Sequence, residues 1–253
     1  MNDKKRTPEL EHSHKPEAVA QRLQNTSADN VFSDAVLGGI DGCVTTFAIV
    51  SAAVGAGFSA TVAIILGFAN LIADGFSMAV SNYEAHQAKQ QYREHLKKTE
   101  AQHIKLIPEG EKEEVRQIYA QKGFSGNQLE EIVATITADD NLWIETMLRE
   151  EYGLQAVDKS PRQAALATFI AFVMVGTIPL IPLFITSLNI HMQFLYSSLL
   201  AAMMFFMIGS VKGFYVHQPI FKSGIKTLLT GGSAASLAFL TGYVLQNYLL
   251  SAG

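Results

Sequence analysis

Two groups of side chains in this sequence carry chemistry that their surroundings do not call for. The first lies in apolar stretches, where Asp41 and Asp74 are the only charged residues between Asp34 and Glu84. Asn70, Asp74 and Met78 are spaced i, i+4, i+8 and share one stripe of a helix, while Thr45 follows Asp41 by one turn. A carboxylate, an amide and a thioether on one stripe, facing a second Asp on a neighbouring span, could pass a divalent cation. An ionisable group inside a spanning helix is expensive and is by default a functional hypothesis. The competing reading is an interhelical hydrogen bond that only ties helices together, and Asn70 alone suits that better. Glycines beside both acids permit close backbone approach between helices.

The second group lies in a polar stretch. Glu100 and His103 are three apart and share a helix face, Glu111 and Glu114 repeat that spacing, and Met147 and Glu151 are four apart with Glu150 adjacent. Carboxylates and imidazole suit Mn²⁺, Fe²⁺ or Zn²⁺, with Co²⁺ a further candidate, and a thioether tilts the set away from Mg²⁺ and Ca²⁺. Glu-rich helix faces are also what a solvated surface presents, and a methionine near a helix end is commonly packing filler. Glu100-x-x-His103 matches half of a di-iron carboxylate pair, but such a site needs a second motif on a packed partner helix. Glu11-x-x-His14 is the other candidate, and it sits in the polar N-terminal tail. His12 lies beside it, while His191 and His217 fall near predicted span ends.

The elements that must position these residues follow from composition. Of 253 residues, 49% are apolar and only 17% charged, and after Arg162 the only charges are Lys212, Lys222 and Lys226. Soluble domains carry about 25% charged residues. A water-soluble globule with this C-terminal third would expose large apolar patches, so the chain reads as a membrane protein in a lipid bilayer. Crossing ~30 Å of hydrocarbon needs about 20 apolar residues. Five stretches qualify, at 35–57, 61–82, 163–186, 191–211 and 225–249. Pro179 and Pro182 interrupt the third and free carbonyls that a pathway could use.

Of the 19 basic residues, five lie in the tail, eleven between Lys89 and Arg162, and three, Lys212, Lys222 and Lys226, at the junction of spans four and five. Those regions fall on one side of the membrane. The positive-inside rule makes that side cytoplasmic and puts the C-terminus outside. The first 33 residues are polar, so no cleavable signal peptide is expected, and the tail reads as disordered. The lack of a targeting pattern and the compact loops suggest a prokaryotic plasma membrane. A formal charge of −4 with no basic stripe excludes nucleic acid, and the single cysteine, Cys43, excludes a disulfide framework.

The fold class expected is therefore all-α: a tail over 1–33, spans one and two over 34–82, a cytoplasmic helical insert over 83–162, and spans three to five over 163–253. The insert holds 15 acidic and 11 basic residues. Its first helix continues out of span two from Tyr83 to about Ile104. Pro108 opens a second helix that Gly123 caps, a third covers Gln128 to Ile136, and a fourth runs from Asp139 as N-cap to Gly153. Leu129, Ile132, Val133, Ile136, Leu142 and Trp143 should form the insert's core.

In order and spacing these residues resemble the vacuolar iron transporter family. The likeness runs from about Val31 through nearly the whole chain. It rests on Ser33-Asp34, Asp41-Gly42 and Thr45-Thr46-Phe47 in span one, Ser77-Met78 in span two, the acidic insert ending in Met147-Leu148-Arg149-Glu150-Glu151-Tyr152-Gly153-Leu154, and Ile178-Pro179-Leu180-Ile181-Pro182. The resemblance implies export of ferrous iron or manganese from the cytosol against protons. It also implies a homodimer with a path lined by the first two helices of both subunits, and an insert that collects metal. By position the membrane Asp falls on Asp41 and the membrane Met on Met78. The insert's ligands fall on Glu100, His103, Glu111, Glu114, Met147 and Glu151. The sequence departs from the family in three places: Asn70 stands where plant members carry a membrane glutamate, with Asp74 one turn on; His103 stands where glutamate is usual; Leu148 replaces a second methionine.

The resulting expectation is a transporter, not an enzyme. No nucleotide-binding loop or Ser/His/Asp nucleophile arrangement is present. The alternative is a membrane-tethered iron store, sensor or ferritin-like oxidase whose spans are only an anchor. An anchor has no need of Asp41.

Overall fold

The computed structural model describes residues 14–24, 31–154 and 160–251, and among these the regular structure is entirely helical. Five helices are long and apolar enough to cross a membrane. The first is α2, Phe32–Gly55, preceded by the short α1, Pro16–Gln24. Part of the tail expected to be disordered is thus helical, while Glu11 and His12 lie outside the described residues.

Helix α3, Ala60–Leu106, is continuous from the second span into the insert. At 1.5 Å per residue its 47 residues extend about 70 Å, roughly twice the hydrocarbon thickness. The tight turn before it works as its residues suggest: Gly57 takes a positive φ of 69°, and the Ser59 hydroxyl accepts from the Val62 N–H as N-cap.

The insert continues with α4 (Pro108–Gln121), α5 (Gly126–Thr137) and α6 (Asp140–Glu150). Asp139 caps α6 by accepting from the N–H groups of Asn141 and Leu142, as its position predicted. Leu129, Val133, Ile136 and Trp143 are buried and Ile132 is partly so, but Leu142 is 42% exposed. The α6 face that turns inward carries Trp143, Ile144, Met147 and Leu148, and Leu142 precedes it by one position on the opposite flank. Leu96 and Ile104 of α3 and Val115 of α4 complete this core. On the outside, Arg116 of α4 forks onto both carboxylate oxygens of Glu130 in α5, at 2.9 and 3.1 Å. Arg93 of α3 pairs with Glu145 of α6.

The third span is α7, Pro161–Thr177, running into a 3₁₀ stretch, Ile178–Phe184, where the two prolines interrupt the α-helix. Several carbonyls of this stretch find partners on the next span. Pro179 O accepts from the Ser197 hydroxyl, and the carbonyls of Leu183 and Ile185 accept from the Gln193 amide. Both donors belong to α8, Ile190–Tyr215, so the break is used to lock two spans together. Helix α9, Ile220–Ser251, starts five residues earlier than hydropathy implied, taking Lys222 into its first turn.

In the membrane bundle α2 is central and packs on α3, α7, α8 and α9. It packs tightly on α7, where a Cβ at Gly38 would stand 2.2 Å from the Thr168 carbonyl oxygen, and one at Gly42 2.3 Å from that of Phe172. No larger residue fits at either position without separating the helices.

Candidate functional site

The insert brings three of the predicted ligands together. The turn at Ile107, with φ −136° and ψ 55°, ends α3, and Pro108 starts α4 at once, folding α4 back beside the end of α3. Glu100, His103 and Glu111 consequently offer ligand atoms that lie within 4.8 Å of one another, a spacing one ion could bridge. His103 Nδ1 is 3.3 Å from Glu111 Oε1 and 4.0 Å from Glu100 Oε1.

Both glutamates are only 1% exposed, whereas His103 is half-exposed at the rim. Buried carboxylates are costly unless paired. Here, among the described residues, His103 is the only basic side chain within ion-pair distance of either. Oε2 of Glu100 and Oε2 of Glu111 are each buried without a hydrogen-bond partner. Burial, followed by the charges of Glu114 and Glu100, pushes Glu111 up to about 7. Glu151 is raised as well, first by burial and then by Glu100 and Glu114. Glu114 and Glu151 therefore belong to one electrostatic cluster with the three. It is an anionic, partly dehydrated pocket that a divalent cation would neutralise.

Met147 is fully buried in the apolar core, packed with Leu96, Ile104 and Val115. Glu150 is not part of the cluster; it pairs with Lys122 at the end of α4 and lies 3.7 Å from Arg149. A residue not nominated from sequence joins instead. The Tyr152 hydroxyl donates to Glu100 Oε1 at 3.0 Å. Its signal was its place directly after Glu151, at the end of an acidic helix.

In the membrane, Asp41 of α2 and Asp74 of α3 are both half-buried and near enough for their charges to interact. The Asn70 amide nitrogen is buried without a hydrogen-bond partner among the described residues. Thr45 donates to the Asp41 backbone carbonyl at 2.9 Å. Met78 packs against the membrane core from a half-buried position.

A further polar group, missed from sequence, lies where α2, α3 and α7 meet near the insert. Asn82 donates to Asp34 Oδ1 at 3.1 Å and to the Thr168 hydroxyl at 2.8 Å, and His86 Nε2 stands 3.5 Å from Asp34 Oδ1.

Known proteins match this chain along most of its length. The profile of the VIT family covers residues 32–243. The chain belongs to the VIT family. The vacuolar iron transporter of Toxoplasma gondii is 33% identical over 231 residues, 88% of this chain and 76% of that one. Vacuolar iron transporter 1 of Arabidopsis thaliana is 28% identical over 222 residues, 87% of this chain and 88% of that one. Vacuolar iron transporter 1 of Oryza sativa subsp. japonica is 27% identical over 230 residues, 90% of this chain and 88% of that one. The family match runs from the first membrane helix into the fifth and includes the insert, so both acidic groups lie inside it.

Proposed function

We propose that this VIT-family chain is a divalent-metal/proton antiporter that moves Fe²⁺, and also Mn²⁺, out of the cytoplasm as a homodimer. The observation that carries this reading is the presence of two half-buried acids, Asp41 and Asp74, on the packed neighbouring spans α2 and α3 in apolar surroundings. The printed names of the relatives, vacuolar iron transporters, supply the cargo.

Deprotonated Asp41 accepts the ion, helped by Met78, Asp74 and Asn70. Protonation from the far side weakens the carboxylate's hold and releases the metal. A second copy completes the path beside the Asn70–Asp74–Met78 stripe of α3. The N-terminus and the insert lie on the cytoplasmic side of a plasma membrane. There Glu100, His103 and Glu111, with Glu114, Glu151 and Met147 around them, raise the local metal concentration at the pore mouth.

Proteoliposomes with an imposed pH gradient test the reading. Asp41→Ala should abolish Fe²⁺ uptake while leaving the protein folded. Transport at the wild-type rate by that variant overturns the mechanism.

A further inference from the structure

The acidic pocket of the insert has a neutral donor at its wall whose position is over-determined by the fold. Helix α6 ends in a turn in which Tyr152 N–H donates to Met147 O at 3.5 Å and Leu154 N–H to Leu148 O at 2.8 Å. Gly153 makes that turn with φ +67°, a conformation that favours glycine. The chain reversal lays the Tyr152 ring against the insert's apolar core and aims its hydroxyl at α3.

The consequence falls on Glu100. One of its oxygens, Oε1, accepts from Tyr152 at 3.0 Å, while Oε2 is buried with no partner. A phenol is a donor that brings no positive charge. It therefore leaves the excess negative charge of Glu100 and Glu111 in place while fixing the orientation of the Glu100 carboxylate at the pocket. Groups that hold a ligand's other atom in this way set ligand orientation, and their loss typically costs 10–100-fold in metal affinity.

We propose that Tyr152 is a positioning residue for cation capture by the insert: by holding Glu100 Oε1, the oxygen that lies 4.0 Å from His103 Nδ1, it fixes the orientation of the Glu100 carboxylate, alongside Glu111 and His103, for a single divalent ion. This rests on the reading of the insert as a metal collector. The tyrosine does not ligate the ion; it acts through Glu100, and its hydroxyl also interacts with Glu151 of the same cluster.

The test uses the full-length chain in detergent, with Co²⁺ as an absorbing probe, and compares wild type, Tyr152→Phe and Glu111→Ala. Glu111→Ala should remove the visible Co²⁺ band that belongs to the insert. Tyr152→Phe keeps the ring and should retain a band of altered shape and energy, with Co²⁺ bound about tenfold more weakly and the metal-free melting temperature unchanged. If Glu111→Ala leaves the band intact, the collector reading falls and this inference with it. If Glu111→Ala removes the band but Tyr152→Phe keeps the wild-type spectrum, the positioning role alone is overturned, whatever happens to the melting temperature.

Discussion

His103 Nδ1 lies 3.3 Å from Glu111 Oε1, across the helix break at Ile107 that separates α3 from α4. That contact joins the last turn of the long helix to the first turn of the next, and it puts an imidazole into an otherwise all-carboxylate cluster. Imidazole favours Zn²⁺ and Fe²⁺, whereas carboxylate oxygen favours Mn²⁺ and Mg²⁺. His103→Glu should thus lower the ratio of Zn²⁺ to Mn²⁺ affinity by about tenfold, measured by competition titration on the purified protein. An unchanged ratio would place His103 outside the coordination sphere.

Metal capture should fade on acidification. Glu111 is raised to about 7 by burial and by its acidic neighbours, and a carboxylate must shed its proton to ligate. Each pH unit below that value should weaken binding at the insert by up to about tenfold, read by calorimetry across the neutral range.

For folding without metal the dependence has the opposite sense. The folded value of Glu111 lies above its ordinary value of 4.5, so between 4.5 and about 7 the folded state holds a proton that the unfolded chain has released. Stability should therefore fall as pH rises through that window and level off above it. Melting of metal-free protein checks this, with Glu111→Gln expected to flatten the profile.

Gly42→Ala should destabilise the membrane bundle by about 1–3 kcal/mol, because the new Cβ would meet the Phe172 carbonyl oxygen at 2.3 Å and force α2 from α7. Gly232→Ala on α9 is the control. A Cβ there meets nothing within 4 Å, so its melting temperature in detergent should not drop.

Asn82→Leu should cost about 1–3 kcal/mol by removing the amide that donates to both Asp34 and Thr168 at the junction of three spans. Hydrogen exchange should then rise at the insert-proximal ends of α2 and α7. Protection equal to wild type would show that packing alone holds that junction.

Much of this protein is settled by local rules. Uninterrupted apolar runs must become helices in lipid, since nothing else satisfies the backbone there, and so the five spans were legible. Pro108, Asp139 and Gly153 likewise punctuate the insert where their chemistry demands. Spacing also put Glu100 with His103 on one face. What the sequence could not decide was distance across elements. Nothing in the spacing of Glu111 says that the Ile107 turn folds it onto His103, or that Glu150 is drawn away by Lys122. Nor does the sequence say that carbonyls from Pro179 to Ile185 bond to Ser197 and Gln193 of α8. Tyr152 and Asn82 stayed hidden for the same reason: a hydroxyl or an amide has no periodic signature, and its role exists only where another helix brings an acid within hydrogen-bonding reach. Hydropathy and turn chemistry, which act between neighbours in the chain, determined the helices and their order. Tertiary packing alone decided which buried carboxylates meet, because that depends on where distant turns point.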